Sequence, residues 1–152
     1  MDIEVDDPRR DDVRRLLETH WAFASANSPP EHCHVLDLEG LLAPNVTFVS
    51  ARIGGELVGV GALKELDDAH GELKSMHTVE TARGAGVGRA VVDHLLQLAR
   101  DRGYRRVSLE TGSNEPFDAA LALYSAAGFS RCEPFDEYTS NPYSIYLTKT
   151  LD

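Results

Sequence analysis

Apolar residues in the first part of the chain recur every three or four positions. The pattern begins after Asp7 and Pro8 and stops at Ser28-Pro29-Pro30. Asp is a favoured N-cap residue and Pro is favoured at the first helical position, so these two residues indicate a helix start. The spacing predicts an amphipathic helix that follows a short strand at Met1–Val5. Its buried face would carry Val13, Leu16, Leu17, His20 and Ala24.

The segments that follow change to the two-residue period of β-strands. After a short helix predicted across Leu36–Leu42, β-branched and apolar residues dominate three stretches. A Gly54-Gly55 turn and a polar turn separate them, so we expect antiparallel pairing. The three predicted strands are Thr47–Ile53, Leu57–Leu63 and Glu72–Thr78. Alternation along the third strand predicts that Glu72, Lys74 and Met76 share one face.

The second half of the chain alternates helices with strands. The predicted elements are a helix that carries Val91, Leu95 and Leu98 and ends at Arg102-Gly103, a strand at Arg106–Thr111, a helix through Phe117, Ala120, Leu121 and Tyr124 that ends at Gly128, and a strand at Ser144–Thr148. The resulting order is βααβββαβαβ. It predicts a mixed α/β (α+β) fold in which one domain spans residues 1–152 and helices flank a central sheet.

The composition is that of an ordinary globular domain. The chain has 152 residues, of which 42% are hydrophobic and 26% charged, so a core can form without disulfides or a metal. Cys33 and Cys132 lack a zinc-ligand spacing and are expected to be reduced thiols. The charged N-terminus and the lack of any run of about 18 apolar residues disfavour a secretion signal and a membrane span. We therefore expect a cytoplasmic protein.

The charge balance bears on the partners of the protein. Asp and Glu number 25 against 15 Lys and Arg, which gives a net charge of −10. An acidic surface repels phosphate backbones, so nucleic acid is disfavoured as a partner. The same charge either attracts a cationic small molecule or serves only to keep the protein soluble.

A glycine-rich passage separates the third strand of the hairpin region from the helix that follows it. Backbone N–H groups at a helix N-terminus can hold a polyanion, and glycines leave its approach open. The dinucleotide motif GxGxxG fails because Arg89 stands where its third glycine belongs, and the Walker motif fails because its lysine is absent. The pattern that remains is RxxGxG, formed by Arg83, Gly86 and Gly88.

This loop resembles the acyl-CoA pyrophosphate loop of the GNAT family, the Gcn5-related N-acetyltransferases. The element order resembles the GNAT plan, and Ala120–Tyr124 with Gly128-Phe129 resembles that family's A..LY…GF helix. The passages Gly61–Leu66, Gly71–Met76 and Leu109–Ser113 resemble the YsnE-like branch of small bacterial acetyltransferases. The resemblance covers nearly the whole chain. It implies a mostly antiparallel sheet and an enzyme that uses acetyl-CoA as co-substrate.

The resemblance also implies which residues bind acetyl-CoA. The pyrophosphate would be held by backbone N–H groups from Gly84, Ala85, Gly86, Val87, Gly88 and Arg89, and Arg83 would add positive charge. The strand residues Met76, His77 and Thr78 would pair with the pantetheine amides. Many family members carry an asparagine where this chain has Phe117, so that pantetheine contact is either absent here or supplied by Ser113 or Asn114.

Acetyl transfer to an amine requires a group that removes the ammonium proton and a donor for the departing thiolate. The resemblance implies that Tyr124 is the donor, because a tyrosine at this LY position points at the cofactor sulfur in the family. Glu72 stands where some members carry the general base. Lys74 could instead pair with Glu72 and lower its pKa, which would weaken it as a base, so both roles stay open.

The segment between the first two helices commonly forms part of the acceptor site in GNAT proteins. Glu31 and His34 are therefore candidate contacts of the acceptor substrate, together with Lys74. His32, Cys33 and His34 lack a second pair of ligands at a zinc spacing, so no metal is expected.

Together these features predict an N-acetyltransferase that moves the acetyl group of acetyl-CoA to a small-molecule amine by direct attack. The alternative is a non-catalytic module that binds or senses acyl-CoA, and a dinucleotide-binding oxidoreductase lacks its motif. The tail is rich in aromatic residues, which could pair across a homodimer or cover the sheet: Phe135, Tyr138, Tyr143 and Tyr146.

Overall fold

The computed structural model describes residues 1–152, and its elements follow the predicted order with one addition. The helices are α1 (Asp11–Asn27), α2 (Leu38–Leu41), α3 (Val87–Asp101) and α4 (Asp118–Ala126). The strands are β1 (Asp2–Val5), β2 (Val46–Ile53), β3 (Glu56–Asp67), β4 (His70–Thr78), β5 (Arg106–Gly112), β6 (Ser130–Arg131) and β7 (Ser144–Thr150). Strand β6 was not predicted, because two residues are too few for an alternating pattern.

The seven strands form one sheet in the order β1-β2-β3-β4-β5-β7-β6. Strands β4 and β5 are parallel, and every other neighbouring pair is antiparallel. The mixed, mostly antiparallel sheet expected from the sequence is confirmed.

Helices cover both faces of this sheet, as the sequence predicts. On one face, Leu17 of α1 and Leu41 of α2 pack with Phe48 of β2. On the other face, Leu95 of α3 packs in a larger cluster that includes Leu109 of β5. Burial of each such side chain stabilises the fold by about 1.5–3 kcal/mol. None of the helices has the length and apolar character needed to cross a membrane.

Strands β4 and β5 separate before either of them ends. Their pairing covers only His70 with Arg106, Gly71 with Val107 and Glu72 with Ser108. Strand β4 continues to Thr78 and β5 to Gly112, but these ends have no strand between them. The sheet therefore opens into a cleft in its middle.

A β-bulge in β4 changes which side chains share a face. Lys74 pairs with Ala62 and His77 with Val60, so two residues of β4 oppose Gly61. Ser75 takes the left-handed conformation within this bulge, with φ at 57°. As a result Met76 packs toward α3, whereas Lys74 and His77 face the side of α1. The prediction that Met76 shares a face with Glu72 and Lys74 is wrong, because simple alternation does not hold across a bulge.

Two predicted helix boundaries also need correction. Helix α1 begins at Asp11 rather than at Pro8, because the Asp7 carboxylate accepts the Arg9 N–H at 2.9 Å and holds a separate turn. Helix α2 has four residues, Leu38–Leu41, where Leu36–Leu42 was predicted. Its start is set by the Asp37 side chain, which accepts the Gly40 N–H at 2.8 Å.

Candidate active site

The cleft between β4 and β5 leads into a cavity of about 480 Å³. Most of the sequence-predicted site residues line it: His34, Lys74, Met76, His77, Thr78, Arg83, Gly84, Gly86, Val87, Gly88, Arg89, Phe117 and Tyr124. The residues among the predictions that do not line it are Glu31, Glu72, Ala85, Ser113 and Asn114. The fold thus brings the glycine loop and the expected catalytic tyrosine to one cavity.

The glycine loop enters α3 through two residues with left-handed backbone. Gly84 and Gly86 both have φ at 82°, and a Cβ at either position would meet no atom within 4 Å. The glycines are required by the conformation rather than by crowding, since L side chains disfavour positive φ. Gly86 is the N-cap of α3. Gly88 serves a different purpose, because a Cβ there would lie 3.0 Å from the Leu123 side chain.

The loop presents unpaired hydrogen-bond donors to the cavity. The first backbone N–H of α3 that bonds within the helix is that of Ala90, which donates to the Gly86 carbonyl at 3.0 Å. The N–H groups from Gly86 to Arg89 precede it and have no partner in the chain. Exposed Arg83 adds a positive charge, and the first turn of α3 carries no acidic residue. This arrangement fits a pyrophosphate.

Tyr124 of α4 is buried and lines the same cavity as the glycine loop. Its ring packs edge-on against Phe129, with the centroids 5.9 Å apart. Burial raises the pKa of the Tyr124 phenol, and no hydrogen bond to the protein contributes to that change. At neutral pH the phenol is therefore protonated and can donate a hydrogen bond to a group in the cavity.

Glu72 and Lys74 form a buried ion pair. Glu72 is 1% exposed and Lys74 is 8% exposed, and Lys74 Nζ lies 3.4 Å from Glu72 Oε2. The Tyr138 hydroxyl donates to Glu72 Oε2 at 2.7 Å and accepts from Lys74 Nζ at 2.8 Å. Burial raises the pKa of Glu72, and the Lys74 charge opposes this only in part. Glu72 Oε1 has no partner and is sealed from the cavity, so this carboxylate does not reach an acceptor directly.

A second carboxylate, which the sequence did not single out, lines the cavity. Glu110 of β5 accepts a hydrogen bond from His34 Nδ1 at 2.5 Å, through Oε2. The Tyr146 hydroxyl donates to the same oxygen at 3.3 Å. The His34 carbonyl in turn accepts a hydrogen bond from Lys74 Nζ at 2.7 Å. His34 therefore links Glu110 to the Glu72–Lys74 ion pair.

Two histidines and two phenylalanines complete the wall next to α1. His20 Nδ1 and His77 Nδ1 lie 3.1 Å apart, and the rings of Phe23 and Phe117 meet edge-on at 5.1 Å. Burial, with the charges of His77 and Lys74, lowers the pKa of His20 to about 4. Burial also lowers the pKa of His77, and the Arg83 charge adds to the effect. The only sequence signal for His20 was its place on the apolar face of α1.

The predicted residues outside the cavity have other partners or none. The Ser113 hydroxyl donates to the Pro142 carbonyl at 2.6 Å, and the Asn114 amide donates to the Asn27 carbonyl at 3.1 Å. Both side chains therefore hold the turn before α4 in place. Glu31 is exposed on a single 3-10 turn at Pro30–His32, and Ala85 is exposed between Gly84 and Gly86.

The aromatic residues of the tail pack mainly on one another. Tyr138 lies 5.2 Å from Phe135 and 5.7 Å from Tyr146, measured between ring centroids. Tyr143 is separate: it is 43% exposed and its ring stacks on His32 at 5.2 Å. Three of the four rings thus cover the sheet beside the Glu72–Lys74 pair.

Known proteins resemble this chain in sequence and in fold. The model of the acetyltransferase (GNAT) family matches residues 11–129. The chain is 46% identical over 151 residues to the uncharacterized N-acetyltransferase YsnE of Bacillus subtilis. That alignment covers 99% of this chain and 100% of YsnE. It is 45% identical over 149 residues to the uncharacterized N-acetyltransferase YedL of Escherichia coli, with 98% and 94% covered. Among solved structures, a Klebsiella pneumoniae protein provisionally described as an acyl-CoA N-acyltransferase superposes with a TM-score of 0.84 at 28% sequence identity. The superposition covers 99% of this chain and 97% of that protein.

Proposed function

Because this chain belongs to the acetyltransferase (GNAT) family, we propose that it transfers the acetyl group of acetyl-CoA to the amine of a small molecule. The observation that carries the proposal is the joining, in one cavity, of an anion-binding helix start at Gly86 and a protonated phenol at Tyr124. Each feature also occurs in other kinds of site. Together they match two groups of acetyl-CoA, the pyrophosphate and the thioester sulfur.

The loop residues would hold the pyrophosphate of acetyl-CoA. The unpaired N–H groups from Gly86 to Arg89 supply directed donors, and the start of α3 supplies positive potential. Arg83 provides a full positive charge, which offsets the repulsion that a net charge of −10 exerts on a polyanion. Arg89 contributes less charge, because it pairs with Asp93 at 3.0 Å.

The free ends of β4 and β5 would hold the pantetheine arm. Strand β4 has no partner strand on its β5 side beyond Glu72, so backbone groups of Met76, His77 and Thr78 face the cleft. An extended chain with amides can bond to such an open strand edge. Phe117 lines the same cleft, in place of the asparagine that many family members use, and it contributes an apolar contact.

Acetyl-CoA supplies the acetyl group already activated as a thioester. In the proposed reaction the amine nitrogen bonds to the acetyl carbonyl carbon and the carbon–sulfur bond breaks. The ammonium form of the acceptor first gives one proton to solvent, which frees the nitrogen lone pair, and the second proton, lost from the attacking nitrogen, ends on the CoA thiolate. Tyr124 donates a hydrogen bond to the departing sulfur, and its high pKa keeps the phenol protonated for this role.

On the acceptor side we assign Lys74 and His34 to the wall of the site and Glu72 to their support. Lys74 and His34 line the cavity and bond to each other. Glu72 acts through Lys74 and Tyr138 rather than by touching the acceptor, since its carboxylate is sealed. Glu31 could contact only an acceptor that extends beyond the cavity.

The experiment that tests the proposal is the release of CoA thiol from acetyl-CoA in the presence of an amine panel. The panel spans polyamines, amino acids, aminoglycosides and small peptides. Thiol release that requires one class of amine supports the transferase. Tight acetyl-CoA binding with no thiol release from any acceptor favours the sensing module instead.

A further inference from the structure

One carboxylate lines the cavity, and it belongs to Glu110. Glu110 stands near the end of β5, beyond the point where β4 and β5 stop pairing. The separation of the strands therefore turns a residue of the central sheet into part of the cavity wall. The other acidic side chain of this region, Glu72, lies at the last paired position and is sealed.

The two oxygens of Glu110 have different surroundings. Oε2 accepts hydrogen bonds from His34 Nδ1 at 2.5 Å and from the Tyr146 hydroxyl at 3.3 Å. The single Tyr146 hydroxyl proton is shared, because the hydroxyl also donates to the Thr139 carbonyl at 3.0 Å. Oε1 has no partner in the chain, and unlike Glu72 Oε1 it is not sealed. The carboxylate is thus held by one oxygen and offers the other to the cavity.

The charged groups on the cavity wall differ between its two halves. On the acceptor side, the Glu72 and Lys74 charges cancel within their ion pair, and the Glu110 carboxylate faces His34 through Oε2, so this half is negative whenever the His34 ring is neutral. On the loop side, Arg83 makes the cavity positive. An anionic co-substrate and a cationic acceptor would therefore each be attracted to a different end.

Aromatic rings make up much of the remaining wall of the acceptor half. The rings of His32 and Tyr143 are stacked with centroids 5.2 Å apart, and both line the cavity. Phe23 of α1 also lines the cavity, and its ring meets that of Phe117 edge-on at 5.1 Å. Such walls favour a planar or apolar body, and ring faces also attract cations.

We infer that Glu110 Oε1 binds the ammonium group of the acceptor, and that the acceptor is a primary amine carried on a planar, apolar body. His34 and Tyr146 hold the carboxylate that makes this contact. The inference rests on the proposed function, because it takes the occupant of this half to be the acetyl acceptor. It adds the chemical class of that acceptor and the side chain that selects it.

The test is a calorimetric comparison of two probes that share the same body and carry either an ammonium or a hydroxyl group. Phenethylamine and phenethyl alcohol are titrated into protein saturated with CoA, so that no acetyl group is turned over. Wild-type protein is expected to bind the amine at least about tenfold more tightly than the alcohol, as one charge-assisted hydrogen bond provides. Glu110→Gln, which keeps the shape of the side chain, is expected to remove that preference.

Glu115→Gln is the matched control. Glu115 is exposed before α4 and does not line the cavity, so the same loss of charge there should leave the amine preference intact. Acetyl-CoA affinity is measured for every variant, which separates this inference from the proposed function. Wild-type protein that binds acetyl-CoA but does not prefer the amine overturns the inference and leaves the cofactor site standing. An amine preference that survives in Glu110→Gln overturns it as well.

Discussion

His20 on α1 and His77 on β4 face each other through their Nδ1 atoms, which lie 3.1 Å apart. One ring must donate a proton and the other must accept it, so the hydrogen bond cannot form when both rings are charged. Burial disfavours the charged form of both rings, and the pKa of His20 falls from 6.5 to about 4. The contact joins α1 to the bulged strand at the edge of the cavity.

This pair predicts that the protein loses stability as the solution is acidified. Above pH 6.5 neither the folded nor the unfolded chain protonates His20, and its full contribution is present. Between that pH and about 4 the unfolded chain takes up a proton that the folded chain does not, which lowers the free energy of unfolding by about 1.4 kcal/mol per pH unit. Urea unfolding of His20→Gln should show a shallower pH dependence than wild type. His94→Gln, on the exposed side of α3, should keep the wild-type dependence; equal slopes for all three proteins would contradict the assignment.

Replacing Gly86 by Asp is predicted to abolish acetyl-CoA binding. The new carboxylate would stand at the helix start where the pyrophosphate is proposed to bind, and positive φ adds strain. Calorimetry measures the loss. Gly55→Asp is the control for strain, because Gly55 also has positive φ and open space but lies in the β2–β3 turn. Unchanged affinity in Gly86→Asp would exclude the loop as the phosphate site.

Tyr124→Phe is predicted to lower kcat about 10²-fold, the usual contribution of an acid or base group. Acetyl-CoA affinity and thermal stability should change little, because the hydroxyl bonds to no other group of the protein. Tyr104→Phe is the matched control: Tyr104 is also buried, but its hydroxyl bonds to Glu65 at 2.7 Å and it does not line the cavity. Thiol release kinetics compare the two, and equal rates in both variants would remove the donor role from Tyr124.

Lys74→Met is predicted to destabilise the fold by about 3–5 kcal/mol, because it leaves the sealed Glu72 carboxylate without its ion-pair partner. Combining Lys74→Met with Glu72→Gln removes the unpaired charge and should recover most of that loss. Urea unfolding of the two single variants and the double variant measures the coupling. If the double variant loses the sum of the two single losses, the pair is not coupled in the folded state.

Local patterns in the sequence predicted most of the elements. The apolar face of α1 from Val13 to Ala24 and the period of β2 and β3 arise from burial on one side, which sequence spacing records directly. The glycine loop was also predictable, because positive φ at Gly84 and Gly86 restricts the residue type.

The residues that sequence reasoning misplaced depend on contacts between distant segments. The bulge at Ser75 reversed the side of Met76, and no glycine or proline indicates it. Glu110 reaches the cavity only because β5 leaves β4 after Ser108, a property of the whole sheet. Its partners His34 and Tyr146 lie 76 and 36 residues away in the chain, respectively. Sequence spacing carries no record of such distances.

The most direct test of the proposed activity follows the acetyl group itself. The protein is incubated with acetyl-CoA that carries an isotopic label in the acetyl group and with the amine panel, and the products are identified by mass spectrometry. We expect labelled amide on one class of primary amine, free CoA thiol in equal amount, and no labelled protein. Label that remains in acetyl-CoA while the protein binds it tightly would exclude acetyl transfer to these amines, and label found only on Cys33 or Cys132 would exclude direct attack.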